Sequence, residues 1–501
     1  VRNKSLERPR RFRVLLALSL GYFMVLLDTT VLSVAEPDIA GSLGTSIGAL
    51  QWVVNGYTIA LAASLLSSGA ISDRWGAHRA FRLGIAAFGV LSLLTAGSPS
   101  VGVLIACRAL LGIAAALSIP SATSMIAQFY PKSSERSRAL AFWTAISGIG
   151  LAAGPLLGGW LVAIGGWQLV FLVNVPIAIV VLALVRGKGF AAPRRDRPID
   201  FGAQLTAGGG LALLTGALIC WGAAQPLAAA LLAGGTVLAA AVLVVLERRS
   251  AAPVFAAQLL TNRGVLAGLM VGAAVNFVLT GVIFGLPLLL SDRLGLGPAQ
   301  LGLFLLPFTI PCALNPLLTG RLVARYGPRM PILGGLGLLT VGSGLLGAAV
   351  SLGFPIGLCV LALLLMGFGV SFTLPALISQ LLTAAPEGTA GSAGGLLNAI
   401  RQVGATIGVT VIGIVLGGVG LSGADSGAGT AGAGAVQAGS AGVVAGVAGV
   451  AGTAAMLVAA AVAGCGGVAY LWLTRRPPRR AAAPPSASDS RQSPSDSRSD
   501  R

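Results

Sequence analysis

Apolar runs of about 18 to 25 residues follow one another along almost the whole of this 501-residue chain. A run of that length crosses the roughly 30 Å hydrocarbon core of a bilayer as a helix rising about 1.5 Å per residue. Inside hydrocarbon every backbone polar group must be satisfied internally, so helices are the natural solution. The chain is therefore predicted to be an all-α polytopic membrane protein with 14 transmembrane helices. The spans are read at 12–34, 49–71, 80–98, 101–127, 138–162, 167–186, 201–221, 226–246, 263–290, 299–322, 330–350, 354–383, 392–418 and 442–474. The 10% charged content agrees, against about 25% in soluble domains. Glycine and proline within the runs do not count against them, because membrane helices tolerate both.

The positions of Lys and Arg orient these helices. Short cytoplasmic loops retain positive charge, and of 33 Lys and Arg all but Arg108, Arg293 and Arg401 fall in 1–13, 74–82, 132–138, 186–197, 248–263, 321–329 and 475–501. These segments alternate with near-neutral ones, which predicts both termini on the cytoplasmic side. The same asymmetry accounts for the net charge of +18 as a topology signal with anionic lipid headgroups as its contact; no nucleic-acid partner is inferred. The basic start runs into a full-length span without a small-residue cleavage site, so the first helix is expected to be retained.

An internal repeat divides the chain. GAISDRWGAHR at 69–79 is echoed by GRLVARYGPR at 320–329, an offset of 251, and GIAAALSIP ending at Pro120 by GFGVSFTLP ending at Pro375, an offset of 255. The expected plan is a cytoplasmic N-terminus (1–11), a six-helix bundle (12–186), loops with two linker helices (187–262), a second six-helix bundle (263–474) and a disordered cytoplasmic tail (475–501). Two homologous halves rocking about a central cavity are a common design in secondary transporters. The Gly/Ala/Ser-rich stretch 419–441 reads as a flexible outside loop.

Ionisable groups inside a bilayer cost several kcal/mol, about 2.5 to 3.5 on insertion scales, and usually mark a transport pathway or proton relay. Asp28 and Arg108 are the two in the first half, and they point to a transporter. Desolvation raises a carboxyl pKa and a nearby cation lowers it, so Asp28 beside a mobile Arg is suited to taking up and releasing a proton; the alternative is a structural carboxylate satisfied by Thr29, Thr30 or an Arg. Arg108 either reaches the Asp28 region or snorkels to the outer headgroups. Glu36 stands about 80° round the helix from Asp28 and about 12 Å along it, as a second proton site, a cation attractor or a hydrated carboxylate at the helix end. Arg401 lies too deep for snorkelling, with Asn398 and Gln402 expected to solvate it. Candidate cavity residues are Asn55, Tyr57, Trp143, Asn276, Phe277, Asn315, Asn398 and Arg401, because aromatic and amide groups suit large amphipathic ligands; the alternative for each is a lipid-facing or packing role.

Seven motifs in order resemble the major facilitator superfamily, and within it the fourteen-helix drug:proton antiporters. LDTTVLSVAEP (27–37) is similar to the first-helix motif of that group, QWVVNGYTIA (51–60) to its second helix and GAISDRWGAHR to the family-wide loop. RALLG (108–112) resembles the fourth-helix motif, GLAAGPLLGG (150–159) the fifth-helix antiporter motif, WQLVFLVNVP (167–176) the start of the sixth helix, and GSAGGLLNAIRQVGATIG (391–408) a thirteenth-helix pattern. The resemblance implies a conformational latch at Gly69, Asp73, Arg74, Gly76 and Arg79, where the alternative is a turn that only sets topology. It implies an antiporter packing element at Gly150, Gly154, Pro155, Gly158 and Gly159, where the alternative is a tight helix contact. His78 replaces the usual basic residue, and Glu36 a usual apolar one. The implied function is proton-coupled efflux of a hydrophobic or amphipathic drug from a bacterial plasma membrane, by a monomer that uses the proton gradient and no cofactor. Uptake or exchange of a polar solute or anion is the rival transport reading, and a non-transporting sensor the rival from another class.

One histidine and five cysteines without CxxC or metal spacing give no material for a hydrolytic or metal site. Neither an enzyme nor a disulfide is expected.

Overall fold

The computed structural model describes residues 4–186, 201–249, 259, 261–386, 390–417 and 437–474. The tail 475–501, loop residues 419–436 and most of both segments flanking the linker helices therefore lie outside the described residues. The helices of the first half are α1 (Lys4–Val31), α2 (Glu36–Leu43), α3 (Ile47–Trp75), α4 (Ala77–Ala96), α5 (Val101–Phe129), α6 (Ser133–Gly165), α7 (Gln168–Leu172) and α8 (Asn174–Leu184). The linker pair is α9 (Phe201–Gly222) and α10 (Pro226–Arg249). The second half holds α11 (Arg263–Leu294), α12 (Pro298–Phe304), α13 (Leu306–Leu314), α14 (Pro316–Tyr326), α15 (Arg329–Ser351), α16 (Ile356–Ala384), α17 (Ala390–Gly417) and α18 (Gln437–Thr474).

Eleven single helices among the described residues are long and apolar enough to cross a bilayer. The other three spans expected from sequence fall on α3, on α7 with α8, and on α12 to α14. α3 has the length and buries Gln51, Asn55 and Thr58. The tenth span is broken at Leu305 and Asn315 beside Pro307 and Pro316, since proline withholds a backbone donor and crowds the preceding turn. Two features differ from the sequence reading. The short helix α2 was not foreseen, and residues 437–441, read as loop, open α18.

Local signals fix several ends. Ser46 caps α3 by accepting from the Ala49 N–H at 3.3 Å, and Asn262 caps α11 by accepting from Gly264 and Val265, which satisfies donors that a helix start leaves free. Gly76 alone joins α3 to α4 at φ 92°, and Gly327 joins α14 to α15 at φ 77°, a region that side chains other than glycine seldom enter.

Packing carries the repeat further than the motifs do. In the first half α3 and α4 pack on α5, α1 on α6, and α4 on α8; in the second, α13 and α15 pack on α16, α11 on α17, and α15 on α18. A Cβ at Gly112 would strike the Tyr57 carbonyl oxygen, and one at Gly367 that of Phe308. A Cβ at Gly84 would meet Ser118 and the Ala114 carbonyl, and one at Gly335 Thr373 and the Gly369 carbonyl. Each pair keeps the motif offsets of 251 and 255, so the same close helix crossings recur in both halves.

Candidate functional site

Asp28 lies on α1 with no exposed surface. Its Oδ2 accepts from Arg108 Nη1 at 2.5 Å, and its Oδ1 from Asn174 Nδ2 at 3.0 Å. Arg108 reaches in from α5, donates through Nε to the Val53 carbonyl at 3.2 Å, and sets its guanidinium 4.5 Å from the Tyr57 ring centroid and 5.9 Å from that of Phe171. It is 1% exposed, which rules out the snorkelling alternative. Thr29 and Thr30 hydrogen-bond backbone carbonyls rather than Asp28. Asn174 opens α8 and also reaches Ser92 on α4 at 3.4 Å. Sequence reasoning quoted it within WQLVFLVNVP but gave it no role of its own.

This cage is chemically two-way. A buried ion pair is favourable only while both charges are paired and hydrogen-bonded. Protonation of Asp28 would remove its charge, yet Arg108 would keep the Val53 carbonyl and two aromatic faces, which attract a cation.

Glu36, at the start of α2, is 2% exposed and its Oε2 has no hydrogen-bond partner. Its neighbour Asp38 is engaged, accepting from the Trp167 backbone N–H at 2.9 Å.

The halves meet along two seams at the end of the bundle where α1 finishes. In one, between α3 and α17, Gln51 donates to the Val409 and Thr410 carbonyls, Asn55 to Thr410 Oγ1 at 2.8 Å, and Thr58 shares a hydrogen bond with Thr406 at 2.8 Å. Asn55, expected in a cavity, thus belongs to a sealed contact. In the other seam a Cβ at Gly159 would strike the Pro298 carbonyl, and one at Gly302 the Pro155 carbonyl. The remaining motif glycines hold α6 on α1: Gly150 faces the Phe23 backbone, Gly154 faces Thr30 and Gly158 faces Val31.

Nearer the middle, Trp143 stacks on Tyr22 at 4.3 Å and donates to the Leu18 carbonyl at 3.1 Å. Tyr22 is within electrostatic reach of Arg401 across the halves. Arg401 is half-buried and donates to Asn276 and Asn398; Asn276 stands in for the expected Gln402. Two cavity candidates lie elsewhere. Asn315 bonds Ser371 at 2.8 Å within the second half, and the Phe277 backbone lies against Gly408. Tyr57 is buried beneath Arg108.

In the loop, Gly69 has open space around it, while Arg74 and Arg79 are exposed on either side of Gly76. The Asp73 side chain lies outside the described residues. His78 sets Nε2 3.2 Å from the Val185 carbonyl, tying α4 to the end of α8.

Two repeated half-bundles, a fully enclosed ion pair in one of them and paired seams between them define a multi-pass membrane protein of the transporter class. Residues 18–409 match the Major Facilitator Superfamily, and the chain belongs to that family. Multidrug resistance protein Stp of Mycobacterium tuberculosis is 34% identical over 408 residues, covering 80% of this chain and 75% of Stp. The tetracenomycin C resistance and export protein of Streptomyces glaucescens is 31% identical over 421 residues, covering 82% and 76%. The methylenomycin A resistance protein of Bacillus subtilis is 32% identical over 408 residues, covering 80% and 87%. Among solved structures, a bacterial homologue of the human lysosomal transporter Spinster, inward-facing and unoccupied, superposes with a TM-score of 0.64 at 17% identity, covering 93% of this chain and 97% of that one. That likeness is one of fold.

Proposed function

We propose that this protein exports a hydrophobic or amphipathic antibiotic or drug from the cytoplasm in exchange for protons, by alternating access. The observation that carries the reading is the enclosed Asp28, held by Arg108 and Asn174: an intramembrane carboxylate with one cationic partner is suited to binding a proton in one arrangement and releasing it in another. Relatives named for multidrug, tetracenomycin C and methylenomycin A resistance support the direction and the substrate class. Tyr22 and Trp143 would offer aromatic faces to the substrate, and Arg401 with Asn276 and Asn398 its polar contacts. Gly69, Asp73, Arg74, Gly76 and Arg79 would latch the end where α3 turns into α4. Gly150, Gly154 and Gly158 would keep α6 close to α1, and Pro155 and Gly159 would keep it close to α12, together preventing leak. The protein would work as a monomer in the bacterial plasma membrane, both termini cytoplasmic, driven by the proton gradient alone.

Efflux of a panel of antibiotics and lipophilic cations from a sensitive host tests this, comparing wild type with Asp28→Asn, with and without a protonophore. Export is expected to collapse under either treatment; export surviving both would sink proton antiport through Asp28. One observation favours a second reading, transport of an anion: Arg401 is held by amide oxygens rather than a carboxylate. Accumulation of organic anions by expressing cells, abolished in Arg401→Gln, would select it.

Replacing Arg108 by Leu should destabilise the protein by about 3–5 kcal/mol, since it strands a buried carboxylate. Thermal unfolding in detergent would show it, and adding Asp28→Asn should recover most of the loss.

A further inference from the structure

The end of the bundle where α1 finishes is closed by hydrocarbon from both halves. Val31, Leu32, Ala35, Ile39, Val162 and Trp167 form one cluster with Phe284, Leu288 and Val409 of the second half. Helix α2 packs into this closure through Glu36 and Ile39, against α3, α11 and the 3₁₀ turn Leu32–Val34. A carboxyl group with one oxygen unpartnered therefore sits in the seal itself. Among the elements packed on α2, the turn and the first turns of α3 carry no charge. The end of α11 carries Asp292 and Arg293, paired at 4.0 Å, and on α2 itself Asp38 is taken by the Trp167 N–H. Arg108 is the cation that acts on Glu36, and it is already bound to Asp28.

We propose that Glu36 is a second proton-binding group, and that its ionisation ties proton release at this end of the molecule to opening of the seal. The inference rests on the alternating-access reading. Burial pushes the Glu36 carboxyl well above the usual carboxylate range, with Arg108 pulling the other way. Opened to water, the group returns to about 4.3. With the higher pKa in the sealed state, closure is fully favoured below the ordinary value and weakens as pH rises towards the raised one. The step is a simple dissociation: the carboxylic acid loses its proton to the aqueous phase, and the carboxylate is then too costly to re-enclose unpaired. An apolar side chain at this position would close the seal equally well but leave it insensitive to pH.

Spin labels at Ser42→Cys and Leu294→Cys, exposed positions on either side of the seal, read the opening directly in full-length protein lacking its native cysteines and reconstituted in lipid. Between pH 3 and pH 9 the open population should grow about ten-fold for each pH unit that separates the carboxyl's pKa in the sealed and opened states. Glu36→Gln should stay sealed across the range, Glu36→Asp should keep a pH-dependent limb, and Asp28→Asn should keep it as well. An unchanged limb in Glu36→Gln, or one abolished by Asp28→Asn alone, overturns the proposal. The distance readout needs no substrate transport, so the Glu36 switch and the Asp28 efflux model fail independently of each other.

Discussion

The two seams between the halves stand at equivalent steps of the repeat and are built of opposite materials. Along α3 and α17 the contact is a ladder of side-chain hydrogen bonds from Gln51, Asn55 and Thr58. Along α6 and α12 backbone lies on backbone, at Gly159 with Pro298 and at Gly302 with Pro155. The repeat relates Gln51 to Gly302 by the 251 offset and Pro155 to Thr410 by the 255 offset, so one position carries an amide in the first seam and a bare Cα in the second. Their surroundings differ to match. The linker helix α9 lies over the polar seam, Gly208 against Ala63 of α3 and Gly222 against Ile414 of α17, and the seam residues are 2% exposed or less. Beside the glycine seam, Trp160, Ile164, Leu303 and Leu314 are exposed. Hydrocarbon tolerates close-packed glycine but strands an unpaired amide. The linker pair is thus part of the closure and not only a tether.

The glycine seam should be the easier to break. Gly159→Val drives a side chain into the Pro298 carbonyl, and overpacking of this kind costs about 1–3 kcal/mol. Thermal unfolding should move down accordingly and efflux should fail. Gly302→Val should do the same, and the double variant should lose less than the sum, because both act on one contact. Gln51→Leu in the polar seam removes two hydrogen bonds and should cost about 1 kcal/mol, a roughly five-fold rise in the unsealed population. Faster thiol labelling of Leu50→Cys, buried at 1% exposure, would report it. Gly208→Leu pushes α9 off α3; if α9 shields the ladder, its effect on that labelling should shrink once Gln51 is already Leu. The smallest effect belongs to Thr58→Val, which orphans the Thr406 hydroxyl and costs below about 1 kcal/mol. Adding Thr406→Val should return part of it, since removing both partners is milder than removing one.

How much of this was legible in the sequence varies with the kind of contact. The all-helical membrane class and the repeat were readable because each is a local pattern of hydropathy, charge or identity. Asp28 and Arg108 were readable as the two charges within membrane-length runs of the first half, but the sequence left their pairing open against snorkelling of Arg108, and the 2.5 Å contact is a finding of the structure. Asn174 was missed because nothing local distinguishes an amide that bonds Asp28 from one that lines a cavity. For the same reason Asn55 and Asn315 were expected in a cavity and are found in helix contacts, one between the halves and one within the second. Helix α2 escaped notice because eight residues are too few to show a period, and the burial of Glu36 could not be read because it depends on what a distant segment, here α11, lays over the helix end.

The linker also settles a question of parity. Each passage through the bilayer reverses the direction of the chain, and α9 and α10, both long and apolar enough to cross, would reverse it twice. The second half would then insert with the same sense as the first, as it would if the pair were absent, which agrees with the glycine crossings that recur in both halves. A linker with a single crossing, or with three, would deliver the second bundle upside down, and neither seam would find its partner. Any insertion that a duplicated protein of this plan accepts at its midpoint has to come in even numbers.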